Sequence, residues 1–233
     1  MVDQGLAPTR TKAAALVMAG LVSAGERRLD KPGQLVDPAE ALTLKSSSPY
    51  VSRGGDKLAS VASELKLDFK GRRVLDVGAS AGGFSDFALT RGAVSVVAVD
   101  VGTAQLDWRL RQDPRVESRE RTDIRDLDRL EPPVDLALVD VSFVSVLKII
   151  EAVWRQVKPD GRVVAMIKPQ FEAGKTLVDR YHGVIKDEAV RQAILDSVRQ
   201  QLTSSYEIVA EADSKVLGPK GNRERFLVLR LKR

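Results

Sequence analysis

The chain has 233 residues, 43% of them hydrophobic, with 37 Lys and Arg against 32 Asp and Glu for a net charge of +5. That is enough chain for one large domain or for a medium domain with a small one, and a weakly basic balance suits a polyanionic partner. With no cysteine and a single histidine, His182, disulfide frameworks, thiolate nucleophiles and most metal centres are excluded, so no metal is expected. The longest apolar run, Ala13 to Val22, contains Gly20 and falls well short of the ~20 residues that cross a bilayer, and no secretory leader is read, so a cytoplasmic location without membrane partners is expected.

In chain order, the spacing of Ala13, Leu16 and Val17 predicts a helix over Thr9 to Ala19, stopped by Gly20. Short β-prone pieces follow at Leu21–Val22, Leu35–Val36 and Leu42–Leu44, separated by turn residues at Ala24-Gly25 and Lys31-Pro32-Gly33. Residues 1–45 are too few for a large core and read as a compact α+β accessory module. The Ser/Pro-rich stretch around residues 46–52 reads as a linker, and residues 53–233 as the main domain. There, Arg73–Val77, Ser95–Asp100, Leu136–Asp140 and Arg162–Ile167 are short apolar runs typical of strands buried on both faces. Helical stretches are expected at Phe84–Arg91, Leu106–Gln112, Val146–Val157 and Asp187–Leu202. The alternation implies an α/β, Rossmann-like, mostly parallel sheet with right-handed crossovers. Tyr206–Ala212 and Phe226–Leu231, with no helix between them, read as an antiparallel pair at its end.

The run Asp76-Val77-Gly78-Ala79-Ser80-Ala81-Gly82-Gly83-Phe84 follows the first strong strand and opens a helix, where doubly wound folds bind nucleotide-like ligands. Its spacing matches neither G-x-G-x-x-G nor a phosphate loop, so a ligand without pyrophosphate is favoured. Asp100, at the end of the second strand with Val101 after it, stands where a carboxylate can accept both hydroxyls of an adenosine ribose. Together with Asp123, after the third strand position and placed to meet adenine, this fits S-adenosylmethionine. Gly78, Ala79, Ser80, Gly82, Gly83, Phe84, Asp100, Val101, Asp123 and Asp140 are the candidate cofactor residues. The competing reading is a glycine-rich packing turn with a solvated strand-end acid.

Four charged residues stand where the acceptor of a transferred group has to lie. Lys57 follows Arg53-Gly54-Gly55, Asp140 ends the fourth strand, Lys168 ends the fifth and Glu224 begins the last. Because C-terminal strand ends converge on the crevice, Asp140 and Lys168 should face it together, and Pro169 biases Lys168 towards extended backbone. Each alone also reads as a solvated charge.

The segments VSRGGDKL (Val51 to Leu58), DVGASAGGFSD (Asp76 to Asp86), VDVGTAQL (Val99 to Leu106), LVDVSFVSV (Leu138 to Val146), IKPQFE (Ile167 to Glu172) and GNRE (Gly221 to Glu224) together resemble the TlyA family of ribosomal RNA methyltransferases, themselves similar to the FtsJ type. The resemblance spans essentially the whole chain. It implies a class I methyltransferase fold with a seven-stranded sheet, S-adenosylmethionine as cofactor, and Lys57, Asp140, Lys168 and Glu224 as a Lys-Asp-Lys-Glu catalytic tetrad. It also implies ribosomal RNA or ribosomal subunits as partner, cytidine as the acceptor nucleotide, and a small ribosomal-protein-like RNA-binding domain at residues 1–45.

On this reading a ribose 2′-hydroxyl attacks the methyl carbon in line, so the protein supplies alignment and a proton acceptor. Lys168 is taken as that base, with Lys57 and Glu224 orienting the ribose. A lysine is cationic at neutral pH, so the role needs burial and neighbouring Lys57 to disfavour the charge, against the pull of Asp140. Arg10, Lys12 and Arg53 are candidate RNA contacts, against the alternative of ordinary solvated cations, and Phe143 either stacks on a splayed base or packs in the core. Gln170, Phe171 and Glu172 are expected to shape the acceptor pocket, and His182 to lie in a surface loop. The rival functions are a non-catalytic RNA-binding or ribosome-assembly factor, a haemolysin-like membrane activity, and a methyltransferase acting on another substrate. Monomer and homodimer remain open.

Overall fold

The computed structural model describes every residue except Pro8, Ala19, Pro38, residues 45–47, His182 and Arg233, and every described side chain except those of Lys12, Lys175, Thr176 and Val178. The surface-loop reading of His182 and that of the Lys12 side chain therefore lie outside the described residues. Two compact units emerge, Met1–Pro49 and Tyr50–Arg233.

In the first unit, α1 (Arg10–Met18) precedes strands β1 (Val22–Ala24), β2 (Arg27–Arg28) and β3 (Leu42–Leu44), which form an antiparallel sheet with β1 in the middle. Val17, Val22, Ala24 and Leu29 make its small core. The strand expected at Leu35–Val36 is absent, and Leu35 is 92% exposed. Its place is taken by Arg27–Arg28, because Gly25, at φ +56, allows a two-residue hairpin that pairs Ala24 with Arg27. Side-chain character alone gave no sign of a strand made of two arginines.

The second unit carries α2 (Arg53–Ala62), β4 (Arg73–Val77), α3 (Gly83–Thr90), β5 (Ser95–Val99), α4 (Trp108–Arg111), β6 (Val116–Arg119) and β7 (Val134–Val139). A 3-10 turn at Val146–Lys148, α5 (Ile150–Trp154), β8 (Val157–Ile167), α6 (Pro169–Glu172), α7 (Lys175–Arg180), α8 (Glu188–Leu202), β9 (Tyr206–Asp213) and β10 (Arg225–Leu231) complete it. The seven strands run in the order β6-β5-β4-β7-β8-β10-β9, parallel except for β10, which is antiparallel to both neighbours.

Alternation along the strands feeds two cores. Val74, Val96, Leu138, Val164 and Phe226 face α2, α3 and α4, whereas Leu75, Val97, Val139, Val163 and Leu227 face α5 and α8. Both faces of the sheet are covered, so the strands read as nearly unbroken apolar runs. Each fully buried side chain of this kind contributes roughly 1.5–3 kcal/mol.

Two expectations are corrected. The helix expected over Val146–Val157 breaks at Ile149 (φ −123), and Val157 already pairs with Val134 as the start of β8. Lys158 to Gly161 then bulge out, since Val157 and Arg162 oppose Val134 and Leu136. The helix expected over Leu106–Gln112 shortens to Trp108–Arg111, capped by Asp107, whose Oδ1 accepts from Arg109 N at 2.9 Å, while Leu106 packs into the core.

Helix α2 had no counterpart among the expected elements because Gly54 and Gly55 weigh against a helix. Packing supplies the reason for them. A Cβ on Gly55 would meet the Tyr50 ring at 2.4 Å, and one on Gly83 of α3 would meet Gly55 N at 2.6 Å, so the two helices approach where only glycine fits.

Candidate active site

The parallel strands β4, β5, β7 and β8 end at one edge of the sheet, and β10, running the other way, begins there. Arg225 pairs with Ile167, so Glu224, just before β10, lies beside Lys168, just after β8. Asp140 follows β7, and its backbone N donates to Val77 O at 2.9 Å. Lys57 arrives from α2. Lys57 Nζ lies 2.9 Å from Glu224 Oε1, and Lys168 Nζ lies 2.6 Å from Asp140 Oδ1 and donates to Ser142 Oγ at 2.8 Å. The structure thus gathers all four candidate residues into two ion pairs. Both side chains of the Lys57–Glu224 pair are buried, at 10% and 2% exposure. Burial pushes the Asp140 carboxyl up from its ordinary value, Lys168 and Lys57 pull it back, and Glu224 adds to the rise.

Two cavities meet here. One, of about 520 Å³, is lined by Gly78, Ser80, Asp100, Val101, Asp123 and Asp140 among others. The second, of about 710 Å³, is lined by Lys57, Lys168, Gln170, Phe171 and Glu224, with the turn Gly218-Pro219-Lys220. Ser142 and Phe143 line both, so the Asp140–Lys168 pair spans the boundary. Either volume suits a small ligand.

The glycine loop is only partly cavity wall. Gly78 is required there: its φ is +82, and an added Cβ would sit 2.6 Å from the Asp140 carbonyl oxygen. Ser80, at φ +48, donates its N to Asp100 Oδ2 at 2.8 Å, while Asp100 Oδ1 accepts from Gly102 N at 2.7 Å. Of the candidate cofactor residues, Ala79, Gly82, Gly83 and Phe84 do not line this cavity. Ala79 and Phe84 are buried, Phe84 beside Phe226, and Gly82 and Gly83 abut Leu110 and the start of α2. Their glycines and aromatic serve helix packing, which a motif alone cannot separate from ligand contact. Asp123 lines the cavity, but its carboxylate is gripped at both oxygens by Arg125 (2.9 and 2.6 Å), which holds it below the usual range. Sequence reasoning missed Gln105, Thr122 and Ser142, which also line the cavity. Gln105 and Ser142 fall inside the segments VDVGTAQL and LVDVSFVSV that carry the family resemblance, whereas Thr122 lies outside every such segment.

Asp76 is a further buried acid at this edge. It is 1% exposed, and its Oδ2 accepts from Ser85 N (2.9 Å) and Ser85 Oγ (2.6 Å), tying α3 to β4. Burial pushes its carboxyl up to about 7, Asp140 and Asp100 add to the rise, and the Ser85 bonds oppose it. Between pH 3.8 and about 7 the folded protein keeps a proton that the unfolded chain has released, so stability declines as pH rises through that window. Asp76→Asn should remove that slope. The stability difference between variant and wild type, from urea melts at pH 4 and pH 8, should shift in favour of the variant by up to roughly 4 kcal/mol. Parallel pH profiles would contradict the assignment.

Phe143 is not a core residue. It is 91% exposed with φ +65, a left-handed conformation that costs a bulky side chain about 1–3 kcal/mol, and its ring lies 5.0 Å from that of Phe171. Arg53, exposed at the start of α2, donates to Leu217 O at 2.5 Å. Arg10 is exposed at the first residue of α1. Glu172 lines neither cavity, whereas Gln170 and Phe171 line the second.

A seven-stranded sheet with one antiparallel strand, a glycine loop after its first strand and a charged crevice at the strand ends defines a class I methyltransferase fold. Residues 50–231 match the family model of FtsJ-like methyltransferases. The chain is 40% identical over 235 residues to the 16S/23S rRNA (cytidine-2′-O)-methyltransferase TlyA of Mycobacterium tuberculosis, covering 99% of this chain and 87% of that protein. It is 39% identical over 234 residues to the YqxC protein of Bacillus subtilis, covering 98% and 83%. A solved structure from Streptococcus thermophilus, named as a hemolysin, superposes with a TM-score of 0.78 at 38% identity, covering 99% of this chain and 86% of that one. The chain belongs to the FtsJ-like methyltransferase family, among its TlyA members, and is a methyltransferase.

Proposed function

We propose that the protein transfers a methyl group from S-adenosylmethionine to a ribose 2′-hydroxyl of ribosomal RNA, with cytidine as acceptor, the activity named for the M. tuberculosis relative. The observation that carries this reading is the Asp140–Lys168 pair on the boundary between the glycine-loop cavity and the cavity holding Lys57 and Glu224.

The first cavity fits the cofactor by its donor set. Asp100 offers carboxylate oxygens to the ribose hydroxyls beyond the two amides it already accepts, and the close approach at Gly78 leaves the wall open beside Asp140. Gly78, Ser80, Asp100, Val101 and Asp123 would hold it. When bound, S-adenosylmethionine supplies a methyl group already activated by its sulfonium charge. The protein then has to align the acceptor and remove one proton. Lys168, as the neutral amine left once its ion-pair proton has passed to bulk water, takes the proton from the 2′-hydroxyl, Asp140 orients that amine, and Lys57 with Glu224 positions the ribose. Phe143 is exposed beside this pair and stacks on the unpaired acceptor base. Arg53, together with Arg10 and Lys12 of the N-terminal unit, contacts phosphates, which positions RNA without reading its sequence.

The deciding experiment incubates the protein with tritiated S-adenosylmethionine and ribosomal subunits and maps ribose methylation on the recovered RNA. Label at a cytidine ribose is the expected result. RNA binding without label would favour a non-catalytic assembly factor. Among the described residues no helix is long and apolar enough to cross a membrane, so nothing in these helices supports a haemolysin-like span.

A further inference from the structure

We infer that Glu172 is the positioning residue that holds the Phe143 ring at the mouth shared by the two cavities, and so governs how tightly the acceptor strand is engaged. The inference rests on the stacking role proposed for Phe143.

Neither burial nor backbone preference keeps Phe143 where it is. The ring is 91% exposed, and the residue is in the left-handed region that phenylalanine avoids. Something outside the residue has to hold the loop. Three ties connect that loop, which follows β7, to the segment that follows β8. Lys168 meets Asp140 at 2.6 Å and Ser142 Oγ at 2.8 Å, and the Phe143 and Phe171 rings lie 5.0 Å apart. Glu172 makes the third tie: its Oε2 accepts from Ser145 Oγ at 2.5 Å and its Oε1 accepts from Val146 N at 2.9 Å.

The Lys168–Ser142 tie holds the loop just before Phe143, and the Glu172 tie holds it just after. Ser145 is two residues after Phe143, and Glu172 is next to Phe171, so the carboxylate clamps the loop immediately beside the aromatic pair. Ser145 Oγ in turn accepts from Leu147 N at 3.2 Å, capping the 3-10 turn, so the clamp anchors the loop to a regular element. Among the described side chains no Lys or Arg forms an ion pair with Glu172, and the two hydrogen bonds its carboxylate accepts there both come from the loop. Burial pushes its carboxyl up, against those two bonds. Because Glu172 lines neither cavity, it acts through Phe143 and does not touch a substrate. Without the clamp, the loop is free to relax Phe143 to an ordinary φ, which swings the ring off the mouth.

The test is a double-mutant cycle in the full chain, with ribosomal subunits as substrate. Glu172→Ala should raise the KM for RNA about tenfold. S-adenosylmethionine affinity by calorimetry and the single-turnover rate at saturating RNA should both stay within about twofold. Glu172→Gln keeps a carbonyl acceptor for Val146 N and an amide that can donate to Ser145 Oγ, so it retains both ties and should restore the wild-type KM. The double variant Glu172→Ala/Phe143→Ala should be no weaker than Phe143→Ala. An unchanged KM in Glu172→Ala, or effects that multiply in the double variant, overturns the inference alone. A Phe143→Ala variant with unchanged KM overturns the stacking role and the inference together. Should Glu172→Ala not fold, Ser145→Ala removes the Oε2 tie while leaving Val146 N paired, and should raise the KM for RNA in the same direction by a smaller factor, an unchanged KM overturning the inference.

Discussion

Replacing Lys168 by alanine should lower the single-turnover rate of methyl transfer by about 10²–10⁴-fold, the range spanned by a lost general base. Cofactor binding should survive, because Lys168 lines the second cavity and not the one with the glycine loop. Lys168→Arg separates proton removal from mere charge. A guanidinium keeps the positive charge beside Asp140 but cannot give up its proton in a protein. It should therefore be as inactive as the alanine variant at saturating RNA and cofactor, even if its KM values are closer to wild type. Near-normal turnover by Lys168→Arg would make the residue an electrostatic anchor and move the proton to another acceptor.

The second large effect is on stability. Lys57→Ala strips the partner from a glutamate that is 2% exposed and whose Oε2 already has no hydrogen-bond partner. Breaking a buried pair from one side costs about 3–5 kcal/mol, since a carboxylate is left in a low-dielectric pocket without compensation. The pocket cannot relax easily, because an added Cβ on Gly218 would sit 2.7 Å from Glu224 Oε1 and the turn is already tight against it. Lys57→Met combined with Glu224→Leu removes both charges at similar volume and should recover most of that loss while remaining inactive. Urea denaturation at neutral pH reads both variants. If Lys57→Ala melts like wild type, the pair is hydrated and its contribution is that of a surface bridge, about 0–1 kcal/mol.

These two pairs show which parts of the site were readable from residues alone. Asp140 and Lys168 end parallel strands, and strand ends of a doubly wound sheet converge, so their meeting follows from an apolar run and a topology rule. Lys57 and Glu224 are 167 residues apart, and no local pattern joins them. Their contact needs α2 to form despite two glycines, and β10 to insert between β8 and β9 so that its first residue lies at the end of β8. The resemblance to the TlyA family named that pair, but the physical reason is the helix packing at Gly55 and Gly83. Phe143 is the opposite case. An aromatic after an apolar strand reads equally as core or as surface, and only a positive φ and an open flank distinguish them.

The amino-acid order determined six strands of the sheet, all but the polar β6, together with the glycine loop and the acidic residue that answers it from the next strand, because short apolar runs and turn chemistry act over a few neighbouring residues. Tertiary packing decided the rest. It turned Gly82, Gly83 and Phe84 towards helices and away from the ligand wall, gave Arg125 the Asp123 carboxylate, and closed a helix over Gly54 and Gly55. Each of these outcomes depends on a contact between segments far apart in the chain, where the energy of close packing outweighs the local preferences that a sequence displays.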